Sequence, residues 1–340
     1  MKKFNNKKPY LIAEIGVNHN GSIEIAKKLI KHAKINNFNA VKFQTYLPNK
    51  LLLKNTPLVS YQKGNRNIKN MYELLKKYQI SFNQFEYLKN YCDKLKIEFL
   101  STPFDIESAL FLNKLRIPIF KISSTDNDNF LLLEVIKKFK KPILLSLGMI
   151  NENDLKKTLK FLNRKKDMLC LMHCISNYPT EIKDTQFGYF EKLKKFNYPV
   201  GWSDHTKGII ASTSAVALGA VVIEKHITLD NNMIGPDHKA SMNIKSLKKY
   251  TENIHDMFLS IKTTNRKIDT EESQVKKMAK KSLYYASNLI KGKIIKKSDI
   301  KALRPRANGI NPNQILKIEG RKLVKVVKKN QLISLKHLRK

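Results

Sequence analysis

Eight short apolar runs of strand length alternate with longer amphipathic stretches over the first 263 of the chain's 340 residues, and this rhythm restricts the fold more than any other feature. The strand candidates are Tyr10–Gly16, Asn39–Thr45, Ile97–Thr102, Pro118–Ser123, Pro142–Leu147, Met168–Cys174, Pro199–Ser203 and Ala220–His226. Helical periodicity falls at 22–36, 70–95, 106–115, 129–139, 151–164, 184–196, 208–219 and 243–263. Eight βα units in series match the closure number of a parallel (β/α)8 TIM barrel, with a doubly wound open sheet as the competing α/β architecture. The barrel is favoured because useful polar residues recur at the strand C-termini: Glu14, Lys42, Gln44, Thr102, Lys121, Ser146, His173, His205, Glu224 and His226. A barrel gathers these ends in one mouth, whereas an open sheet separates half of them from its switch point.

The rhythm stops near residue 263. Residues 264–280 are polar and read as a linker with a short helix. Residues 281–340 form a small second unit, with β-like runs at Ser282–Ala286, Leu323–Val327 and Gln331–Ser334 and turns at Lys291-Gly292 and Asn308-Gly309. About 60 residues make a marginal independent core, so this unit is expected to dock on another surface.

The formal net charge of +37 raises the question of a nucleic-acid or membrane partner. The basic residues are spread as pairs on polar helix faces (Lys27-Lys28, Lys76-Lys77, Lys194-Lys195) with no aromatic interleaving and no nucleic-acid motif. A solvated surface is the expectation, with neither nucleic acid nor membrane as partner. Cys92, Cys170 and Cys174 are too few and too unevenly placed for a disulfide framework. No apolar run reaches membrane-spanning length, and the basic N-terminus lacks a secretory apolar region, so a reducing cytoplasm is expected.

His205, in GWSDH, and His226, in IEKH, end adjacent strands, so their imidazoles can converge as a ligand pair for a divalent ion, leaving positions for water and a substrate oxygen. The competing reading is two satisfied core histidines. Lys42 and Lys121 interrupt otherwise apolar strands, where a lysine is costly unless paired. Beside Thr102, Ser124, Ser146 and Ser203 they suggest a site for an anion bearing phosphate and carboxylate; Lys–Glu pairs inside the barrel are the alternative. Glu14 is placed to orient a hydroxyl or move a proton, or else to cap a loop. Asp237, in the rigid loop GPDH, is either a hydroxyl ligand or a turn former. Asn18 and Asn20-Gly21 read as turn residues, and His19 carries little catalytic weight. Neither GxGxxG nor GxxxxGK[ST] occurs.

Taken in order, AEIGVNHNG (13–21), VKFQT (41–45), FLSTPFD (99–105), FKISS (120–124), KPILLSLGM (141–149), LMHCISNYPT (171–180), GWSDHTKG (201–208), IEKHITLD (223–230) and GPDHKASM (235–242) closely resemble the sialic acid synthase family: N-acetylneuraminate synthase and its legionaminate and pseudaminate relatives. The segment RPRANGINP (304–312) resembles that family's antifreeze-like (SAF) domain. The resemblance implies condensation of phosphoenolpyruvate with the aldehyde of an open-chain N-acetylated hexosamine such as N-acetylmannosamine, giving a nine-carbon 2-keto acid and phosphate. It implies a divalent cation, manganese or magnesium, on His205 and His226, with Glu14 as a further catalytic group. Lys42, Thr102, Lys121, Ser124, Ser146, Ser176 and Ser203 would hold phosphoenolpyruvate. Gln44, Asp126, Tyr178 and Asp237 would face the sugar, joined by Arg304 across a domain-swapped homodimer.

Three departures stand out. Asp126 replaces a sugar-facing Glu in the stretch Lys121–Asp126, Leu147 stands where the family has Thr, and an extra residue lies near Arg306, in Arg306-Ala307-Asn308. Two other functions fit the same barrel: a lyase forming a Schiff base on Lys121, and a sugar-binding barrel without catalysis.

Overall fold

The structure is a computed structural model that describes residues 4, 8–58, 68–263, 265–306 and 309–340. The expected turn residue Asn308, and the extra residue at Ala307-Asn308, lie outside the described residues. The chain divides into two compact units, Met1–Lys262 and Thr263–Lys340.

The first unit is a parallel barrel of β1 (Tyr10–Gly16), β2 (Ala40–Thr45), β3 (Glu98–Pro103), β4 (Phe120–Ile122), β5 (Ile143–Ser146), β6 (Leu169–His173), β7 (Val200–Asp204) and β8 (Val222–Thr228). The hydrogen-bonded ladder runs β3-β2-β1-β8-β7-β6-β5-β4, and β3 packs beside β4 to bring it to near closure. Each strand is buried almost throughout, the pattern of a sheet with helices outside and side chains within.

The helices between the strands are α1 (Ile23–Ile35), α2 (Pro48–Leu51), α3 (Met71–Tyr78), α4 (Phe82–Lys94), α5 (Ile106–Lys114), α6 (Phe130–Lys138), α7 (Glu152–Leu162), α8 (Tyr189–Lys194), α9 (Ile210–Ala217) and α10 (Leu247–Lys262). Short polar side chains start many of them: Ser22, Asn70, Ser81, Asp105, Asn129 and Asn151 each accept a backbone N–H of the first turn. The single helix expected over 70–95 is two helices. Gln79 is extended, and Ser81 and Gln84 form a reciprocal capping box that starts α4 afresh.

Alternation along the strands builds the barrel interior in layers. Ile12, Ala40, Leu100, Ile119, Leu144, Cys170 and Val222 pack with Met172 and Phe4 into an apolar floor. Two residues further along six of these strands, the same inward face carries Glu14, Lys42, Thr102, Lys121, Ser146 and Glu224. The polar layer therefore rests on a close-packed apolar one that excludes water from below. Among the described residues, no helix is long and apolar enough to cross a membrane.

The second unit has its own core of Leu283, Tyr285, Leu289, Ile295, Ile318, Leu323, Val327, Ile333 and Leu338. Helix α11 (Thr270–Ala279) precedes two antiparallel pairs, Ser282–Tyr285 with Ile300–Leu303 and Lys322–Leu323 with Leu338–Arg339. Of the expected runs, Leu323–Val327 contributes only Leu323 to a strand and Gln331–Ser334 contributes none. Val327 and Leu332 make only isolated bridges, to Leu289 and Tyr284.

Candidate active site

Strand register sets the centre of the site. Glu14 on β1 pairs in register with Lys42 on one side and His226 on the other, and Ser203 pairs with Glu224. A cavity of about 490 Å³ opens above this polar layer at the C-terminal end of the barrel. Twelve of the residues singled out from sequence line it: Glu14, Lys42, Gln44, Thr102, Lys121, Ser124, Ser146, Ser176, Tyr178, Ser203, His205 and His226.

The buried lysines are paired with glutamates, as the alternative reading expected, and they also line the cavity. Lys42 Nζ lies 2.7 Å from Glu14 Oε2 and 3.6 Å from Glu224 Oε1, and Lys121 Nζ lies 3.1 Å from Glu224 Oε1. Lys42 also donates to Thr102 Oγ1 (3.0 Å), and Ser203 Oγ donates to Glu224 (3.1 Å). Burial raises the Glu14 carboxyl to about 7, with Lys42 opposing and the neighbouring Glu224 adding. Burial pushes Glu224 the same way, but Lys121 and Lys42 outweigh it and hold that carboxyl at about 2. Two carboxyls a short distance apart are thus driven in opposite directions, one kept ionised and the other poised to hold a proton near neutrality.

The imidazoles are both neutral at pH 7. Burial lowers His205 to about 4, and burial followed by the neighbouring His205 lowers His226 well below its ordinary value. Their ring centroids are 5.9 Å apart. His205 Nδ1 is 2.7 Å from the Ile175 carbonyl. A carbonyl only accepts, so Nδ1 carries the hydrogen and Nε2 keeps its lone pair. His226 Nδ1 and Glu224 Oε2 are buried without a hydrogen-bond partner among the described residues. An orphaned neutral imidazole nitrogen beside a second imidazole with a free lone pair suits a divalent cation. Among the described residues, no group of three or more His, Cys, Asp and Glu surrounds a common point.

Two glycines leave room that a side chain would fill. A Cβ on Gly16, whose φ is +54°, would lie 3.2 Å from His226 Cε1 and 3.3 Å from Glu14 Oε1. A Cβ on Gly148 would overlap Ser176 Oγ and come within 2.7 Å of Ser124 Oγ; the Gly148 N–H donates to that same Ser124 hydroxyl. The hydroxyl group of the site therefore closes around a bare backbone.

Of the expected site residues on the barrel, Asp126 and Asp237 do not line this cavity. Asp126 is turned away: its carboxylate accepts from Asn129 Nδ2 and Thr125 Oγ1, both at 2.9 Å, and Thr125 lines the cavity instead. The short side chain is consumed by the turn that leads into α6. Asp237 borders a smaller adjoining recess shared with Gln44, Tyr178 and His226, where burial raises its carboxyl to about 6. Arg304 is exposed on the second unit. His19 builds a loop, its Nδ1 accepting from the Gly21 N–H at 3.0 Å.

Sequence reasoning left Glu224 unassigned, although its place at the end of β8 was visible. It also missed an apolar wall made by Tyr46, Leu51, Leu52, Met71, Leu75 and Phe104.

Fold and site together define an enzyme-like (β/α)8 barrel with a floor of buried lysine–glutamate pairs and a neutral histidine pair. The NeuB family model matches residues 29–266, and the chain belongs to that family of synthases. It is 36% identical to the N,N'-diacetyllegionaminic acid synthase of Legionella pneumophila, over 95% of this chain and 94% of that one. It is 37% identical to the enzyme of the same name from Campylobacter jejuni, over 96% and 99%. The crystal structure of an N-acetylneuraminic acid synthetase from Leptospira borgpetersenii superposes with a TM-score of 0.70 at 30% identity, covering 79% of this chain and 90% of that one.

Proposed function

We propose that this chain is a nonulosonic acid synthase, a transferase that joins phosphoenolpyruvate to the aldehyde of an open-chain N-acetylated hexosamine such as N-acetylmannosamine. The observation that carries this reading is the cavity in which Lys42 and Lys121, buried and paired with glutamates, share one lining with hydroxyls and two neutral imidazoles.

In this reading Lys42 and Lys121, with Thr102, Ser124, Ser146, Ser176 and Ser203, hold the phosphate and carboxylate of phosphoenolpyruvate. A rigid, water-poor floor strengthens each of these contacts. Carbon 3 of phosphoenolpyruvate attacks the aldehyde carbon and forms the new C–C bond, while the aldehyde oxygen takes a proton and becomes a hydroxyl. Water adds at carbon 2; the C–O bond to phosphate then breaks, leaving the ketone of a nine-carbon acid and free phosphate. Glu14, raised to about 7, holds or releases the proton near the reacting carbons. His205 and His226 would hold a divalent cation, manganese or magnesium, which when bound supplies Lewis-acid polarisation of the aldehyde. Gln44 and Tyr178 would orient the sugar from the wall, and Asp237 from the adjoining recess.

The C-terminal unit is read as an antifreeze-like (SAF) domain that brings Arg304 to the sugar of a partner subunit in a swapped homodimer. The cytoplasm, where both small substrates would be made, is the proposed location. The lyase alternative at Lys121 gains no support, because Glu224 engages that amine at 3.1 Å.

Isotope placement tests the reaction. With 18O in the bridging position of phosphoenolpyruvate, the label leaves in phosphate if the C–O bond breaks. Label retained in the keto acid would mean P–O cleavage and a different chemistry.

A further inference from the structure

Strand β5 outlasts its neighbour. It pairs with β4 at Phe120–Ile143, Lys121–Leu144 and Ile122–Leu145, and there β4 ends. The chain after Ile122 turns off towards α6. Residues 146–148 continue beside β6, with the Leu147 N–H donating to the Met172 carbonyl at 3.0 Å. Successive residues of a strand direct their backbone groups to opposite sides. Leu147 serves β6, so the backbone groups of Ser146 and Gly148 face the side that β4 has left. Buried carbonyls without a donor are costly there.

Side chains take the place of the missing strand. Asn127 Nδ2 donates to the Ser146 carbonyl at 3.2 Å and to the Gly148 carbonyl at 3.0 Å. The Gly148 N–H, on the same side, donates to Ser124 Oγ at 3.1 Å. Asn127 is itself held, because its carbonyl accepts from Thr158 Oγ1 on α7 at 2.8 Å. Asn127 and Thr158 are both buried, and neither is among the residues that line the cavity.

What this amide fixes does reach the cavity. Ser124, Ser146 and Ser176 all line it. Ser124 Oγ takes the Gly148 N–H on one lone pair and lies 3.2 Å from Cys174 Sγ, so few orientations are left to its hydroxyl. Ser176 Oγ packs against the bare face of Gly148, where a Cβ would overlap it. A shift of Gly148 is therefore passed to Ser124 through a hydrogen bond and to Ser176 through contact.

We propose that Asn127 is a positioning residue for an anion cradle formed by the hydroxyls of Ser124, Ser146 and Ser176. Its amide stands in for the missing length of β4 and keeps these hydroxyls converging on one anionic group. The identity of that anion, phosphoenolpyruvate, rests on the synthase reading. Asn127 touches no substrate, and its loss loosens the cradle while leaving the pairs of Lys42 and Lys121 in place.

The test joins an equilibrium and a kinetic measurement on the full-length protein. Titration calorimetry gives Kd for inorganic phosphate alone. Turnover with manganese, phosphoenolpyruvate and a panel of N-acetylated hexosamine acceptors gives kcat and the two KM values. Asn127→Leu keeps the branched shape and removes the donor; Thr158→Val, on α7, releases the Asn127 carbonyl. Asn127→Leu is expected to raise the phosphate Kd and KM for phosphoenolpyruvate about 10-fold each, with KM for the acceptor changed less than about twofold. Thr158→Val moves the same two constants in the same direction by a smaller factor, and carries the test if Asn127→Leu does not fold. A lower melting temperature with Kd and both KM values unchanged overturns the proposal, as does equal loss for both substrates. No phosphate binding by wild type also overturns it. If wild type turns over phosphoenolpyruvate with no acceptor of the panel, the synthase reading falls, while a weakened phosphate Kd in the variants still supports the role of Asn127.

Discussion

Asp204 and Lys225 form an ion pair at 2.9 Å on the outer face of the barrel, one residue before His205 and one residue before His226. Because strand positions alternate, the pair lies behind the wall from which the two imidazoles project. Lys225 Nζ also donates to the Thr206 carbonyl at 2.5 Å, and Asp204 accepts from the Thr206 N–H (2.8 Å) and from Ser212 Oγ (2.6 Å). Ser212 in turn meets the Tyr250 hydroxyl on α10 at 2.7 Å. The chain on both sides of His205 is thereby tied to the residue preceding His226, which sets the separation of the rings.

Lys225→Met leaves Asp204 buried without its cation. It is expected to cost about 3–5 kcal/mol of stability, read as a lower denaturant midpoint. Manganese affinity by titration calorimetry falls about 10- to 100-fold in the protein that remains folded, the usual effect of losing an outer support of a ligand. In Asp204→Leu/Lys225→Met both charges are gone, and part of the stability returns.

Gly16→Ala places a methyl group against His226 and Glu14 at a left-handed backbone position. The backbone term costs about 1–2 kcal/mol. The larger effect is on turnover, which should fall by about 100-fold through misplacement of the ring and carboxyl. A melting curve with a turnover assay on the same sample separates the two.

Acid should draw on the His205 contribution to the metal-free fold before ordinary carboxylates titrate. His205 has an ordinary value of 6.5 and about 4 when folded, so the unfolded chain binds the extra proton first. The stability contributed by keeping it neutral is complete above about 6.5 and is lost as pH falls towards 4. Glu14 and Asp237, whose carboxyls are raised, act in the opposite sense over the same range, so the His205 contribution is read as a difference: from pH 7.5 to 4.5 the melting temperature of wild type should fall relative to that of His205→Gln.

Much of this was legible in the chain, and the exceptions have physical causes. The barrel strands announce themselves because each is buried on both faces, and the polar ends of those strands are the cavity floor. The break between α3 and α4 was also written locally, in Ser81 and Gln84, but the apolar periodicity on either side masks it. Asp126 misled because motif position says nothing about side-chain reach: one methylene fewer than Glu lets the carboxylate close on Asn129 and Thr125. The wall of Leu51, Leu52, Met71, Leu75 and Phe104 was invisible for another reason. Its residues come from two helices and the segments after β2 and β3, and apolar side chains there read as ordinary core until the fold places them around a cavity.

Arg304→Ala tests the role given to the second unit. KM for the sugar is expected to rise about 10-fold or more while KM for phosphoenolpyruvate changes little, as for loss of one charged contact to a single substrate. Equal loss for both substrates would assign that unit to folding, and a monomer by light scattering would contradict the swapped dimer.

The most direct test of the synthase account is stoichiometry in one reaction vessel. Wild-type protein, manganese, phosphoenolpyruvate and the acceptor panel are followed for phosphate and for 2-keto sugar acid together. The account predicts that the two appear one for one, only when an acceptor is present, and that His226→Ala abolishes both. Phosphate released without acceptor, or a keto acid made or cleaved without phosphoenolpyruvate being consumed, would contradict it.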